Sequence, residues 1–285
     1  MQHDPARTVD RLVWRDSGSS SGRRVIPEET ALALTYNGGT YAVMMGTARD
    51  LRDFAVGFSL SEGIVQSPDD IRSLDIVDLD DGIELRMWLQ PAQAERLNER
   101  RRHIAGPTGC GICGIDSIAE AIRPAALVAQ GRSFSPQQIV AAMRDLPLRQ
   151  EINLETRAVH AAAFWTPAAG IVSLREDVGR HNALDKLAGA LAQDGISAST
   201  GLVLLTSRVS VEMVQKAAAM GAPLLVAVSA PTALAVRMAN TAGITLAAIA
   251  RADGFEVFTH PQRIVAAAAV QAAVHGTIQG TVHVA

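Results

Sequence analysis

A chain of 285 residues, 48% of them hydrophobic, can bury a substantial core in one large domain or two moderate ones. Its formal charge of -3 excludes a surface built to coat nucleic acid or a polybasic membrane patch, so any anion site must be local. Its two cysteines, three positions apart, exclude the disulfide framework of a small secreted domain and point to a reducing compartment.

Met1 to Asp16 lacks the apolar block and small-residue cleavage site of a signal peptide, so a cytoplasmic location is expected. Residues 1–24 end in Ser17-Gly18-Ser19-Ser20-Ser21-Gly22-Arg23-Arg24, too polar to offset their own ordering entropy, and are predicted to form a flexible tail or an extended arm. Asn37-Gly38-Gly39 between Ala31–Tyr36 and Tyr41–Gly46 predicts a hairpin. Leu51, Phe54, Ala55 and Phe58 recur at helical spacing after Asp50, and Glu62-Gly63 ends the segment. Asp80-Asp81-Gly82 reads as a turn, and Ile83, Leu85, Met87 and Leu89 alternate as in a half-buried strand. A helix from Pro91 to about Ile104 carries Arg100-Arg101-Arg102-His103 at its C-terminal end, where cations favour the macrodipole. That block is either a solvated helix end or a source of positive potential for a nearby thiol.

Gly106-Pro107-Thr108-Gly109-Cys110-Gly111-Ile112-Cys113-Gly114 follows. Glycine without a Cβ leaves the sulfurs uncovered, which suits a reachable thiol better than a core. Residues 105–134 are therefore a candidate linker that carries the Cys-x-x-Cys pair. Ser135-Pro136 opens a helix with Ile139, Val140, Met143 and Leu146 on one face. From residue 158 onward, apolar runs at 160–165, 171–174, 202–205, 224–228, 244–249 and 255–258 alternate with helical stretches at 183–192, 211–220 and 232–239. This predicts a parallel or mixed sheet covered on both faces. The Ala-rich stretch Ile264–Val274 is much shorter than a membrane span.

Three uses of the cysteines are open on residue chemistry: half a zinc site, a redox pair, or a persulfide-bearing nucleophile. Zinc needs four ligands, and beyond His103 and His160 there is little to recruit, so no metal is expected. A redox pair usually opens a helix after a strand, whereas glycine surrounds both thiols here. Two idle buried thiols would fit the glycine density poorly. A second site is Arg175-Glu176-Asp177-Val178-Gly179-Arg180-His181-Asn182-Ala183-Leu184-Asp185-Lys186, where ionisable groups crowd a strand-to-helix junction suited either to phosphate or to a salt-bridged helix start. Thr206-Ser207-Arg208-Val209-Ser210 repeats the geometry, as does Ser229-Ala230-Pro231-Thr232, and Arg251-Ala252-Asp253-Gly254 adds a further loop. Together such junctions would shape a nucleotide-sized cleft.

The combination resembles the formate dehydrogenase accessory sulfurtransferases of the FdhD type. The residues that carry it are Val43-Met44-Met45, Phe54 to Ile64, Thr108 to Gly114, His160-Ala161-Ala162, Glu176 to Lys186, Ser207 to Ser210, Glu212 to Lys216, Ser229 to Thr232 and Thr259-His260-Pro261-Gln262-Arg263. The resemblance implies an α/β (α+β) fold. A smaller α+β domain over 25–104 would precede a larger domain similar to the cytidine deaminase fold over 135–264, with residues 265–285 as a tail. Deaminase chemistry is excluded, because it needs His-x-Glu with a following Pro-Cys-x-x-Cys, and Ala161-Ala162 follow His160 here. Thr156-Arg157-Ala158-Val159 stands where the family usually has a Gly-rich segment. The resemblance further implies a sulfurtransferase that relays persulfide sulfur from a cysteine desulfurase to the bis-molybdopterin guanine dinucleotide cofactor destined for a formate dehydrogenase catalytic subunit. Cys110 would hold the persulfide and Cys113 would assist or resolve it. The family's cofactor-contacting loop falls on Ile249, Ala250, Arg251, Ala252, Asp253 and Gly254, with Arg180, His181, Ser207 and Arg208 as further candidates. No permanently bound cofactor, no nucleic acid and no membrane are expected, and the family points to a homodimer. A thiol-independent cofactor-binding chaperone and a thiol-disulfide switch are the alternatives.

Overall fold

A computed structural model describes residues 4–104 and 123–266, which form a mixed α/β structure. They group into two compact units. One comprises 4–104 with 123–124, 148–163 and 173–197; the other comprises 125–147, 164–172 and 198–266. The units interleave along the chain, so they do not follow a division into 25–104 and 135–264. The cysteine loop lies outside the described residues, as does nearly all of 265–285. Among the described residues no helix is long and apolar enough to cross a membrane.

In the first unit, β1 (Ala6–Arg15) and β2 (Gly18–Pro27) pair antiparallel from Ala6 opposite Pro27 to Arg15 opposite Gly18. Of the two readings of residues 1–24, the structure shows the extended arm and corrects the flexible tail. The Ser-Gly run buries nothing itself, but as one side of a ladder it satisfies its backbone against Arg11 to Arg15. The predicted hairpin is β3 (Thr30–Tyr36) and β4 (Gly39–Gly46), with Asn37 at φ 51° and Gly38 at φ 80° in its turn. Positive φ at both turn positions is the backbone that Asn-Gly adopts most readily. β5 (Ile71–Leu79) and β6 (Gly82–Leu89) complete a sheet of order β4-β3-β6-β5, in which β3 and β6 run parallel.

Leu32, Leu34, Tyr36, Ile83, Leu85, Met87 and Leu89 point from this sheet into one core with Phe54, Ala55 and Phe58 of α1 (Leu51–Ser61). Period-2 and period-3.6 patterns thus meet on one apolar layer. Tyr36 donates its hydroxyl to Ser59 Oγ at 2.7 Å, since Ser59 itself donates to the Ala55 carbonyl at 2.6 Å. Burial holds the Tyr36 phenol far above its ordinary range. α2 (Pro91–Ile104) follows, and Arg100 at its described end donates to the Glu62 carbonyl at 2.8 Å.

In the second unit, Ser135 caps α3 (Pro136–Asp145) with a full capping box to Gln138. The short α4 (Glu151–Thr156) belongs to the first unit. β7 (His160–Thr166) and β8 (Gly170–Asp177) are each divided, with 164–166 and 170–172 in the second unit. There they join β9 (Leu202–Leu205), β10 (Leu224–Ala227), β11 (Thr245–Arg251) and β12 (Gly254–Val257) in a six-stranded sheet of order β12-β11-β10-β9-β7-β8. β9, β10 and β11 are parallel and almost wholly buried, as expected of strands covered on both faces. α6 (Val211–Ala219) and α7 (Ala233–Ala242) connect them. α5 (Arg180–Gln193) returns to the first unit and crosses α1 at Gly57 and Gly189. A Cβ on Gly57 would collide with the Asp185 carbonyl, and one on Gly189 with that of Asp53.

Candidate functional site

Because β9, β10 and β11 run parallel, the segments after them emerge at one edge of the sheet. This is the edge where open α/β sheets hold ligands. After β9, Ser207 is buried and donates to the Arg208 carbonyl at 3.0 Å, while Arg208 is exposed. After β10, the Ala230 carbonyl accepts from Val209 N at 3.3 Å, and Thr232 N donates to the Val209 carbonyl at 2.9 Å. The two loops are thereby zipped together. Thr232 caps α7 by accepting from Ala235 N at 3.2 Å.

The third loop, Ile249 to Gly254, is held from both sides. Ile249 N donates to the Ser229 carbonyl at 3.3 Å, and Arg251 Nη1 donates to the Val228 carbonyl and, at 2.8 Å, to that of Ala250. From α3, Arg144 donates through Nε and Nη2 to the Ala252 carbonyl at 3.2 and 2.9 Å. Ile249 sits at φ 53°, beside the register shift between Ala248 and Arg251. A β-branched residue in left-handed backbone is costly, by about 1–3 kcal/mol, and persists where its surroundings fix it. The bulge turns Ile249 outward, 37% exposed, between buried Ala248 and Ala250. Ser207, Arg208 and Ile249–Gly254 are therefore brought to one edge of the second unit.

Arg180 and His181 lie in the first unit, in the first turn of α5. The acidic members of the same motif are turned inward. Asp177 accepts from Thr47 N at 3.0 Å, Gly179 N at 2.7 Å and Asn182 Nδ2 at 3.0 Å, and pairs with Lys186 Nζ at 2.7 Å. Both members of this pair are fully buried, and Lys186 also donates to the Thr47 carbonyl at 2.9 Å. Glu176 accepts from Ile152 N and Asn153 N at 2.8 and 2.9 Å, capping α4, although burial outweighs these bonds and raises its carboxyl above the ordinary range. Asp185 accepts from Ser61 at 2.6 Å, and Arg175 pairs with Asp53 at 2.7 Å. Of the basic members, Arg180 keeps a buried Nε with no hydrogen-bond partner. Half-buried His160 is held below its ordinary value first by burial and then by the Arg180 cation, which keeps its imidazole neutral near pH 7.

Thr47 and Arg144 hold these segments without any local signal in the sequence. Their partners lie 130 and 108 positions away, so only the folded chain reveals them. Cys110 and Cys113, the central candidates, lie outside the described residues.

The second unit is thus an α/β sheet whose strand-end loops carry hydroxyls and guanidiniums, and in the first unit the Arg180 Nε lies without a hydrogen-bond partner in the first turn of α5. The chain belongs to the FdhD/NarQ family, whose sequence model matches residues 27–265. It is 50% identical over 260 residues to the sulfur carrier protein FdhD of Agrobacterium fabrum, an alignment covering 91% of this chain and 96% of that one. It is 52% identical over 252 residues to the protein of the same name from Cupriavidus necator, covering 88% and 87%. The crystal structure of an accessory protein provisionally assigned to formate dehydrogenase, from Desulfotalea psychrophila, superimposes with a TM-score of 0.73. It is 24% identical, and the match covers 92% of this chain and all of that one, which shows a shared fold.

Proposed function

We propose that the chain is a sulfur carrier that relays persulfide sulfur from a cysteine desulfurase to the bis-molybdopterin guanine dinucleotide cofactor, before that cofactor enters a formate dehydrogenase. The observation that carries this reading is the naming of relatives about half identical over most of their length as sulfur carrier proteins, combined with a glycine-bounded Cys-x-x-Cys in this sequence. Cys110 is the persulfide carrier. Its thiolate attacks the outer sulfur of the donor's persulfide, the donor's S–S bond breaks, and the donor cysteine leaves as a thiolate. Cys113 assists the next step by attacking the inner sulfur, forming a disulfide and releasing the outer sulfur as sulfide for the metal. The chain works in the cytoplasm as a homodimer.

The strand-end edge of the second unit supports the cofactor half of the reading. Arg208 is an exposed cation there, and the bulged Ile249–Gly254 loop presents backbone and the Arg251 guanidinium at the same edge. These groups suit the diphosphate and guanine of the dinucleotide. Cys110→Ala should leave the fold and guanine-nucleotide binding intact while abolishing activation of the client dehydrogenase. Full activation by that variant would favour the thiol-independent chaperone reading instead.

A further inference from the structure

The sulfur-transfer reading assigns no role to the β1–β2 arm, and the family match begins only at its last residue, Pro27. It is a two-stranded ribbon of ten rungs, about 34 Å long at the usual rise per residue. Its base packs on α4, where Arg24 donates to the Thr156 carbonyl at 3.3 Å. Towards the tip, Leu12 and Trp14 are 56% and 74% exposed, opposite only Ser21 and Ser19. A ribbon of two strands alone is marginally stable in water, so its tip, beyond the packing on α4, calls for a further element that is always present. A second copy of the chain meets that requirement at any concentration where the chain itself exists.

The same unit carries a matching surface. β5 is an edge strand, with Ile76 44% and Leu79 54% exposed. The β5–β6 hairpin, residues 71–89, holds five carboxylates against two arginines, whereas residues 6–27 hold five arginines against two aspartates. On the arm, Arg7 pairs with Glu28 and Arg23 with Asp10, while Arg11 and Arg15 have no ion-pair partner among the described residues. On the hairpin, Asp75 lies across the ladder from Arg86, which itself pairs with Glu84, while Asp80 and Asp81 have no ion-pair partner among the described residues. The alternations also agree. Leu12 and Trp14 share one face of β1, with Arg11 and Arg15 on the other, and on β5 Ile76 and Asp75 take opposite faces in the same way.

We infer that β1 of one copy adds as a strand to the β5 edge of a second copy, reciprocally, placing Leu12 and Trp14 beside Ile76 and Arg11 and Arg15 beside Asp75. Backbone groups along both edges supply the hydrogen bonds, apart from the Leu74 carbonyl, which already accepts from Arg52 Nη2 at 3.3 Å, and the opposite charges set partner and register. Two arms pairing with each other would instead bring like charges together. The inference rests on the homodimer put forward above and is independent of the sulfur chemistry.

The test is analytical ultracentrifugation of the full-length protein and two charge-reversed variants, Arg11→Glu/Arg15→Glu and Asp75→Lys/Asp80→Lys, with circular dichroism to confirm folding. The wild type should be dimeric at micromolar concentration, and each variant should dissociate with a constant raised by about tenfold or more. An equimolar mixture of the two should re-form dimers, because both contacts of the mixed pair regain opposite charges. A monomeric wild type overturns the homodimer and this inference together. A dimer indifferent to either reversal, or two weakened variants that fail to re-associate on mixing, overturns the β1–β5 contact alone.

Discussion

Lys186→Met is the most exacting probe of how the charged string from Glu176 to Lys186 is used, because it removes one charge from a pair with no access to water. Lys186 Nζ lies 2.7 Å from Asp177 Oδ2, both side chains are 0% exposed, and the ammonium also donates to the carbonyls of Thr47 and Glu176 at 2.9 and 3.4 Å. Breaking a buried pair by removing one partner costs about 3–5 kcal/mol, since the remaining charge stays desolvated. Asp177 keeps three N–H donors, from Thr47, Gly179 and Asn182, so Lys186→Met falls at the low end, about 3 kcal/mol. Asp177→Ala is worse: it strands the ammonium and orphans those three donors, each at about 1–3 kcal/mol, which together rival the whole stability of an ordinary domain. Replacing both partners, as Asp177→Asn/Lys186→Met, removes both charges and should cost less than the sum of the single changes by at least about 1 kcal/mol. Urea denaturation followed by far-UV circular dichroism gives these differences from the midpoints if the slopes agree. A loss below about 0.5 kcal/mol for Lys186→Met would refute the buried pair as the anchor of the α5 N-terminus.

Gly57→Ala should destabilise by about 2 kcal/mol or more, because its new methyl meets the Asp185 backbone, a contact no rotamer can relieve; a thermal midpoint equal to wild type would contradict the helix crossing. Tyr36→Phe removes one buried hydrogen bond and should cost about 1 kcal/mol in the same denaturation assay. His160 has a folded-state value below its ordinary 6.5, so the unfolded chain takes up the proton first as pH falls. Its contribution is complete above pH 6.5 and is lost on acidification from there towards the lower folded-state value, and His160→Gln should flatten that part of the stability profile. Guanosine diphosphate should raise the thermal midpoint, and Arg208→Ala or Arg251→Ala should diminish the rise; no shift at millimolar nucleotide would remove the strand-end edge as the cofactor site.

Much of the fold was legible where one local pattern dominated. Asn37-Gly38 could only turn, Ser135-Pro136 could only start a helix, and the apolar runs from Leu202 to Ala250 could only be buried strands. β5 escaped because Asp75 and Asp78 interrupt its apolar residues, as befits an edge strand with little to bury. β1 and β2 escaped for a related reason: Ser19 to Ser21 have no strand preference of their own and are ordered by the partner opposite. At the candidate site, sequence located the charged string but not the direction of its charges. Nothing in the spelling of Glu176 to Lys186 tells that Asp177 and Lys186 face inward to Thr47 while the Arg180 Nε is left without a hydrogen-bond partner. The backbone of Ile249 was equally hidden, since no local rule assigns left-handed geometry to isoleucine.

The central claim is that Cys110 carries transferable sulfur, and intact-protein mass spectrometry after incubation with a cysteine desulfurase and free cysteine tests it most directly. The account predicts an adduct of about 32 Da, one sulfur atom, that is discharged by reductant and absent from Cys110→Ala. No adduct on the wild type, or an undiminished adduct on Cys110→Ala, would contradict it.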